Sequence, residues 1–450
     1  MAFSHATVVE VLLGGVSVGA VSKPATSAFF AFEYQPSWIR NGFSISPLHL
    51  PLRPGAQSFP QLAPGTWHYL PAALADALPD RFGNSVIDAK MAQMGIPSNQ
   101  ITPLDRLTYV ADRALGALEF RPPNDLADDP VELLDIVQLV KAARSAIAGT
   151  IATGRDAQAA LQQLLSVGVS AGGARAKAII NLDPVTQEIT AGQYARAGTE
   201  PWLLKFDGVG LDSQLGESQE YGRVEYAYSL MARAAGVEMP ETRLLEENGR
   251  AHFMVRRFDR PPADEPGLPP RKLHAQSLCA MAHLDFNLLH VNDYSSLFAT
   301  IKALGLGKNG EAGENSEDGE AAGVQAFVRM AFNFLASNCD DHAKNFSFLA
   351  DASGTWRLAP AYDVTFAYNP DNIWLKEHLM GVDGKFADVT DKDLLAFADR
   401  HGIPYARQTL KRVRATLADW PEFAAEAGLS QQTIRQIAAS IQAQGSGELT

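Results

Sequence analysis

The chain has 450 residues, of which 46% are hydrophobic and 20% charged, and this composition is that of an ordinary globular protein. Disordered and fibrous classes are thereby excluded, and the length predicts two or three cores of roughly 100 to 200 residues each. The formal net charge of −13 argues against strong non-specific binding of nucleic acid by this chain alone, so a role on DNA would require a basic partner.

Cysteine usage and the N-terminal segment predict a cytoplasmic protein. Cys279 and Cys339 are too few for a disulfide framework and fit a reducing compartment. The apolar run near the N-terminus lacks the Lys/Arg-rich start of a signal peptide and is interrupted by Glu10. Because no stretch of about 18 residues is apolar enough to span a bilayer, we expect no membrane segment.

The first 125 residues begin with strand-like patterns. Val8 to Leu13 and Val16 to Val21 flank Gly14-Gly15, which predicts a β-hairpin, and a further strand is expected at Phe29 to Tyr34. We therefore predict an N-terminal α+β subdomain over residues 1–125.

A helical segment follows this subdomain. Asp129-Pro130 has the residue types favoured at the N-cap and first turn of a helix, and the helix is expected to run to about Ala148. We interpret residues 126–150 as a linker helix.

The order of elements over residues 151–265 is that of the N-lobe of a protein kinase. A loop of small residues, Ser170 to Lys177, precedes a strand at Leu203 to Phe206. Apolar residues then recur at helical spacing from about Gln219 to Ala235, before Gly236. A hairpin with a turn at Asn248-Gly249 is predicted next.

Residues 266–450 predict a mostly helical C-lobe. Phe327, Met330 and Phe334 belong to the apolar face of a helix that leads to Asp340. The Gly-rich and acidic insertion from Gly305 to Gly323 predicts a surface loop. The expected fold is α+β: a kinase-like bilobal arrangement with a mixed N-lobe, a mostly helical C-lobe and an extra N-terminal subdomain.

The stretch Asp340 to Asn345, Asp-Asp-His-Ala-Lys-Asn, is the most informative in the chain. It has the Asp-x-x-x-x-Asn spacing of a kinase catalytic loop, in which the Asp accepts the proton of the attacking hydroxyl and the Asn binds Mg²⁺. Two short strands then lead to Asp363, the candidate second Mg²⁺ ligand. The alternative for Asp340 and Asn345 alone is a helix-capping turn, because short motifs recur by chance.

Lysines in the predicted N-lobe are candidates for binding ATP phosphates. Lys205 lies in an otherwise apolar strand, so its charge needs an anion, for which phosphates and Glu225 are candidates. The backbone of Gly172 and Gly173 could approach phosphates, with Lys177 adding charge. The structural alternatives are an edge-strand lysine that reaches water and an ordinary turn between strands.

The segment Arg256 to Asp259 ends the predicted N-lobe where a hinge would meet adenine. Arg256, Phe258 and Asp259 are accordingly candidates for nucleotide contact, and an exposed basic strand end is the alternative. His342 is a further candidate, although a structural role within its loop is the default expectation for such a histidine.

Taken together, these motifs resemble the HipA family of serine/threonine kinases, the toxin halves of bacterial type II toxin–antitoxin pairs. The resemblance runs over nearly the whole chain. Its segments are Leu48-His-Leu-Pro-Leu-Arg53, Leu78-Pro-Asp80, Gly116-Ala-Leu-Glu-Phe120, Gly172-Gly-Ala-Arg-Ala-Lys177, Arg257-Phe-Asp259, Asp341-His-Ala-Lys-Asn345 and Pro360-Ala-Tyr-Asp363.

The resemblance implies roles and partners. Ser170 would be the autophosphorylated serine of a flexible loop, whose phosphorylation inhibits the enzyme. Lys205 and the hinge at Arg256 and Phe258 would bind ATP, Asp340 would be the base, and Asn345 with Asp363 would hold Mg²⁺. The implied partners are a HipB-like helix-turn-helix antitoxin, DNA through that antitoxin, and a protein substrate such as an aminoacyl-tRNA synthetase.

Three segments depart from the family pattern: the small-residue loop, the hinge and the insertion. The acidic insertion from Gly305 to Gly323 lies where some relatives have a Gly-Gly-Pro loop, so the choice of substrate stays open. Ala176 stands where many relatives have Pro, and Arg256 where the best-known member has Glu. Neither prevents catalysis, because adenine is read by backbone atoms. Two other functions stay open: a co-repressor that acts with the antitoxin on DNA, and a small-molecule phosphotransferase.

Overall fold

A computed structural model describes residues 3–122, 139, 143, 164–165, 175–192, 195–210, 220–247, 249–265, 267–306 and 322–445. The chain divides into two compact units, which are described separately. The first comprises residues 1–211, 245–276 and 349–355, and the second comprises residues 212–244, 277–348 and 356–450. The predicted linker helix lies outside the described residues, apart from Leu139 and Ala143. The domain boundaries stay a prediction.

The first unit begins with a four-stranded sheet of order β3-β2-β1-β4. The predicted hairpin is confirmed, because Leu13 pairs with Val16 across Gly14-Gly15. Both glycines have positive φ, +57° and +77°, which a two-residue turn with the twist of a hairpin requires. The strands are β1 (Val8–Leu13), β2 (Val16–Ser22), β3 (Ala31–Tyr34) and β4 (Leu118–Arg121).

Short helices complete this part of the first unit, and their starts are set by capping residues. Asp80 accepts a hydrogen bond from the backbone of Gly83, and Thr102 forms a capping box with Asp105. The helices are α1 (Pro36–Asn41), α2 (Pro64–Trp67), α3 (Ala72–Ala75), α4 (Arg81–Gln93) and α5 (Pro103–Val110), with a 3-10 turn at Ser98–Gln100.

A five-stranded sheet of order β6-β5-β7-β9-β8 follows. Along β5, Ala176, Ala178 and Ile180 are buried in one core cluster, so Lys177 faces the opposite side of the sheet. In the antiparallel pairing of β5 with β7, Lys177 lies directly opposite Lys205. The strands are β5 (Arg175–Leu182), β6 (Ile189–Ala191), β7 (Glu200–Gly210), β8 (Thr242–Glu247) and β9 (Arg250–Arg256).

The second unit is mostly helical, and its helices after residue 277 lie where the sequence predicts a helical C-lobe. The ring of Tyr228 packs edge-on against Phe332 and Trp420, and its hydroxyl donates to the backbone oxygen of Ala336 over 2.7 Å. The helices are α6 (Tyr221–Ala234), α7 (Leu278–Ala282), α8 (Tyr294–Ala303), α9 (Ala322–Leu335), α10 (Asp391–His401), α11 (Ala406–Ala418), α12 (Trp420–Glu426) and α13 (Gln431–Gly445).

A three-stranded sheet has the order β10-β11-β12, and its second and third strands follow the predicted catalytic loop. The strands are β10 (His274–Ser277), β11 (Ser347–Ala350) and β12 (Trp356–Leu358). The predicted turn between β11 and β12 is confirmed. Asp351 Oδ1 accepts backbone hydrogen bonds from Ser353 and Thr355, and Gly354 has φ of +82°. Among the described residues, no helix combines the length and apolarity needed to cross a membrane.

Candidate functional site

The loop after α9 holds the predicted base, Asp340. The chain leaves the helix through Ser337, whose φ is +56°, and closes the loop with a 3-10 turn at Ala343–Asn345. Asn345 Nδ2 donates a hydrogen bond to the backbone oxygen of Asp340 over 2.7 Å. The Asp340 side chain is 49% exposed, so a substrate hydroxyl can reach it.

Asp341, next along the chain, is fully enclosed and holds the loop in place. Its Oδ2 accepts hydrogen bonds from the Tyr294 hydroxyl at 2.8 Å and from His378 Nδ1 at 3.0 Å. Its Oδ1 accepts from the backbone of Leu379 at 2.8 Å and Met380 at 3.3 Å. A carboxylate with four donors fixes its backbone, and that of its neighbour Asp340 with it.

His378 provides the positive charge that compensates Asp341. Burial would lower the pKa of His378, but the adjacent Asp341 carboxylate, with a contribution from Cys339, raises that pKa to about 10. Its ring stacks on Phe334, with 3.8 Å between centroids, and its Nε2 lies 3.8 Å from Cys339 Sγ. At neutral pH, His378 and Asp341 therefore form a buried ion pair.

Asp363 follows β12 in a conformation that few side chains adopt. Its φ is +53°, in the left-handed region, and such strain recurs at functional sites because the surrounding structure must impose it. The neighbouring Tyr362 hydroxyl donates to the backbone oxygen of Lys344 over 2.7 Å and lies 2.5 Å from Ser347 Oγ. Tyr362 thereby ties the Asp363 segment to the loop that carries Asn345.

Asn345 and Asp363 line one small cavity of about 20 Å³, together with Asp341 and Arg329. The cavity lies wholly within the second unit. The amide of Asn345 and the carboxylate of Asp363 therefore converge on this cavity. Asp340, the proposed base, is not among the lining residues, and its side chain is exposed. Arg329 is buried on α9, and burial lowers the pKa of its guanidinium to about 10.

The two candidate lysines lie in the first unit. Lys177 and Lys205 are 3% and 7% exposed and face each other across β5 and β7. Lys177 Nζ lies 3.9 Å from Asp80 Oδ2, and Lys205 Nζ lies 5.7 Å from the centre of the Phe253 ring. The expectation that Lys177 belongs to a loop is wrong, because strand β5 already begins at Arg175. Ala176 and Ala178, on either side of Lys177, pack into the hydrophobic core.

The predicted hinge follows directly from β9. Arg256 pairs with Trp202 of β7, and its guanidinium binds Glu200 at 2.8 Å. The Arg257 backbone N–H donates to the Pro201 oxygen at 3.0 Å, and the Phe258 side chain is half-buried. Glu225, the expected partner of Lys205, is buried on α6 and belongs to the second unit.

Asp259, a candidate for nucleotide contact, is completely buried and engaged by the protein itself. Arg257 binds its carboxylate with two nitrogens at 3.0 and 2.7 Å, Arg260 Nη1 lies at 2.7 Å, and the Gly116 backbone donates at 2.7 Å. Burial opposes ionisation, but Arg257 and Arg260 lower the pKa of Asp259 to about 2. These partners give Asp259 a structural role.

His342 lies beside the proposed base. Its Nε2 is 3.6 Å from Asp340 Oδ1, and its ring centre is 5.7 Å from that of Phe286. Ser170, Gly172 and Gly173, the expected phosphorylation site and phosphate-binding glycines, lie outside the described residues.

Two family models match the chain. The family described as HipA N-terminal domain matches residues 9–121, and the family described as HipA-like C-terminal domain matches residues 169–445. The chain belongs to the HipA family.

The fold of this HipA family chain is similar to that of a solved structure. It is similar to a chain of the Shewanella oneidensis MR-1 toxin–antitoxin complex of HipA, HipB and operator DNA, with a TM-score of 0.65 and 17% identity over 97% of this chain and 95% of that chain. The mixed α+β, HipA-like fold is thus confirmed. A Helicobacter pylori proinflammatory kinase, CtkA, matches with a TM-score of 0.34 and 13% identity, over 55% of this chain and 87% of that chain.

Three residues of this HipA family chain were missed as parts of the site: Asp341, Tyr362 and Arg329. The run Asp340-Asp341 signals two carboxylates, but the sequence does not say which one is buried. In the sequence, Tyr362 stands out only as part of the motif that ends at Asp363. Arg329 occurs within a largely apolar helical face, and a lone charge in such a face was the available signal.

Proposed function

We propose that this HipA family toxin is an ATP- and Mg²⁺-dependent protein serine/threonine kinase. The observation that carries the proposal is the convergence of Asn345 and Asp363 on one cavity, with Asn345 bound to the backbone of Asp340. These are the three groups that a kinase site needs: a carboxylate near the attacking hydroxyl and two oxygen donors for the metal.

The donors fit the proposed ion. An amide oxygen and a carboxylate are hard ligands, and Mg²⁺ takes one or two protein carboxylates while substrate phosphates and water complete its shell. Because Nδ2 of Asn345 is held by the Asp340 backbone, Oδ1 is the atom that faces a cation. When bound, Mg²⁺ neutralises the charge that develops on the transferred phosphoryl group.

Residues of the chain perform the remaining steps. Asp340 accepts or orients the proton of the attacking hydroxyl, and its 49% exposure leaves room for a protein side chain to approach. Asp341 keeps this loop in one conformation through the four hydrogen bonds that its carboxylate accepts. Lys205, with Lys177 opposite it, supplies positive charge for phosphates, and the backbone at Arg256 and Phe258 reads adenine.

Regulation and partners belong to the same proposal. Autophosphorylation of Ser170 would add a dianionic group to its loop and inhibit the kinase. The Shewanella relative is part of a complex with HipB and operator DNA. We propose an antitoxin of the same kind for this chain, since a net charge of −13 calls for a basic partner on DNA. The protein substrate would be a component of translation, such as an aminoacyl-tRNA synthetase.

A transfer assay tests the activity. The purified chain is incubated with γ-labelled ATP, with and without Mg²⁺, and label is mapped by mass spectrometry. Label on Ser170 that requires Mg²⁺ and disappears in Asp340→Asn supports the proposal. Transfer only to small hydroxyl compounds would instead establish a small-molecule phosphotransferase.

A binding assay tests the co-repressor alternative. Asp340→Asn should abolish phosphoryl transfer and still bind the antitoxin encoded beside the gene, together with its operator. Retention of both bindings without transfer would show that the two functions are separable. Wild-type transfer in Asp340→Asn would eliminate this residue as the base.

A further inference from the structure

The first unit contains a second cavity, of about 200 Å³, whose walls are rich in cationic side chains. Arg113, Arg257, Arg260 and Lys272 line it, and Asp112 is the carboxylate among its described lining residues. Neither Lys177 nor Lys205 belongs to its walls.

The described hydrogen bonds of Arg257 and Arg260 use only some of their N–H donors. Arg260 binds Asp259 through Nη1 alone, and Arg257 uses Nε and Nη2 for Asp259 and the Ala114 oxygen. Nε and Nη2 of Arg260 and Nη1 of Arg257 therefore have no acceptor within the described part of the chain. Arg260 is only 7% exposed, so its contact with bulk water is limited.

The charges around the cavity do not balance. Four cationic side chains line the cavity: Arg113, Arg257, Arg260 and Lys272. The described carboxylates that pair with them are three, Asp259, Asp112 and Glu119, which leaves one positive charge in excess. Lys272 is compensated by Glu119 at 2.9 Å and Asp112 at 3.9 Å. Burial and the proximity of Arg257 lower the pKa of Arg260 to about 10, while Asp259, Asp112 and Glu119 act in the opposite direction.

A purely structural role explains only part of this arrangement. Asp259 joins Arg257 and Arg260 to the Gly116 backbone and so links two distant segments. That link uses one edge of each guanidinium group. It explains neither the donors on the other side nor a cavity far larger than a water molecule needs.

We propose that this cavity binds a phosphate group, either as the free ion or as a small phosphomonoester, between Arg257 and Arg260. Planar guanidinium groups present paired N–H donors that match phosphate oxygens. Lys272, at the more exposed side, adds a point charge. The volume leaves room for a few carbon atoms beside the phosphate.

Equilibrium dialysis of the full chain with radiolabelled inorganic phosphate, at constant ionic strength, tests the proposal. Arg260→Gln should weaken binding by about tenfold or more, the effect of losing a charge-assisted hydrogen bond. The matched control is Arg271→Gln, which removes the same charge from a side chain that is 51% exposed and bound to Asp264. It should change binding by less than about twofold.

Two further variants keep the test decisive. Lys272→Gln alters a partly exposed side chain and should weaken binding even if Arg260→Gln fails to fold. Lys205→Met tests whether the phosphate instead occupies the candidate nucleotide lysines. Competition by glycerol 3-phosphate, stronger or weaker than by unlabelled phosphate, identifies the ester or the free ion as the better ligand.

The proposal is overturned by an absence of saturable binding, by equal loss in Arg260→Gln and Arg271→Gln, or by loss in Lys205→Met alone. The last result would place the phosphate at the candidate nucleotide lysines. Because kinase activity is not the readout, failure of this proposal is distinguishable from failure of the proposed function.

Discussion

The side-chain amide of Asn345 is bound to the backbone of Asp340, with 2.7 Å between Nδ2 and the carbonyl oxygen. This bond orients Asn345 and Asp340 together, although they are proposed to act on different partners. Asn345→Ala removes both the metal donor and this restraint. We expect the rate of transfer to fall by about a hundredfold or more, and initial rates measured against Mg²⁺ concentration would check it.

Asn345→Asp is the informative comparison. It keeps an oxygen donor for the metal but cannot donate to the Asp340 oxygen. We expect partial activity that recovers at higher Mg²⁺ concentration. Equal and complete loss in both variants at every Mg²⁺ concentration would contradict a metal role for the Oδ1 atom.

Two substitutions of Asp363 distinguish the effect of its backbone strain from the effect of its carboxylate. Its φ of +53° suits glycine and opposes alanine. Asp363→Gly and Asp363→Ala should both lose Mg²⁺-dependent transfer, but the glycine variant should be more stable by about 1 kcal/mol. Urea denaturation measures the difference. If alanine proved as stable as glycine, the left-handed conformation would not be required in the folded protein.

Asp341 is predicted to stabilise the second unit rather than to react. Asp341→Asn leaves protonated His378 buried without its counter-charge and should lower the free energy of unfolding by about 3 kcal/mol or more. Tyr294→Phe removes one of the four donors and should cost about 1 to 3 kcal/mol. Similar small losses in both variants would mean that the ion pair is not formed.

The same ion pair predicts how stability depends on pH. The pKa of His378 is raised from 6.5 to about 10, so its stabilising contribution is complete below about pH 6.5 and is lost as the pH rises through about 10. Unfolding free energies of the wild type should fall over this interval. His378→Gln should show a flatter profile, and parallel profiles of the two proteins would refute the raised pKa.

In the first unit, the contribution of Asp259 to stability depends on pH in the opposite direction. Its folded pKa is lowered to about 2, so its contribution is present above the usual range near 3.8 and is lost as the pH falls through about 2. Asp259→Asn leaves two buried arginines without a carboxylate and should destabilise by about 3 to 5 kcal/mol. The Michaelis constant for ATP should change little in the protein that remains folded. A large selective rise in that constant would restore the nucleotide-contact interpretation.

Local sequence determined several elements because their causes lie within a few residues. The glycine pair between β1 and β2 permits positive φ, and the side chain of Asp351 holds the turn before β12. The spacing of Asp340 and Asn345 is a local matter too, because a short 3-10 turn suffices to bring one to the other. The family motifs are similarly short, and they identified the HipA family from the chain alone.

Only the tertiary structure decided which of two adjacent carboxylates is enclosed and which is exposed. Asp341 obtains donors from Tyr294 and His378, which lie 47 and 37 residues away, and Asp259 obtains one from Gly116 at a separation of 143 residues. Burial of a charge is favourable only where such distant partners converge on it. Because the sequence does not fix which distant segments meet, it could name these acids but could not assign their roles.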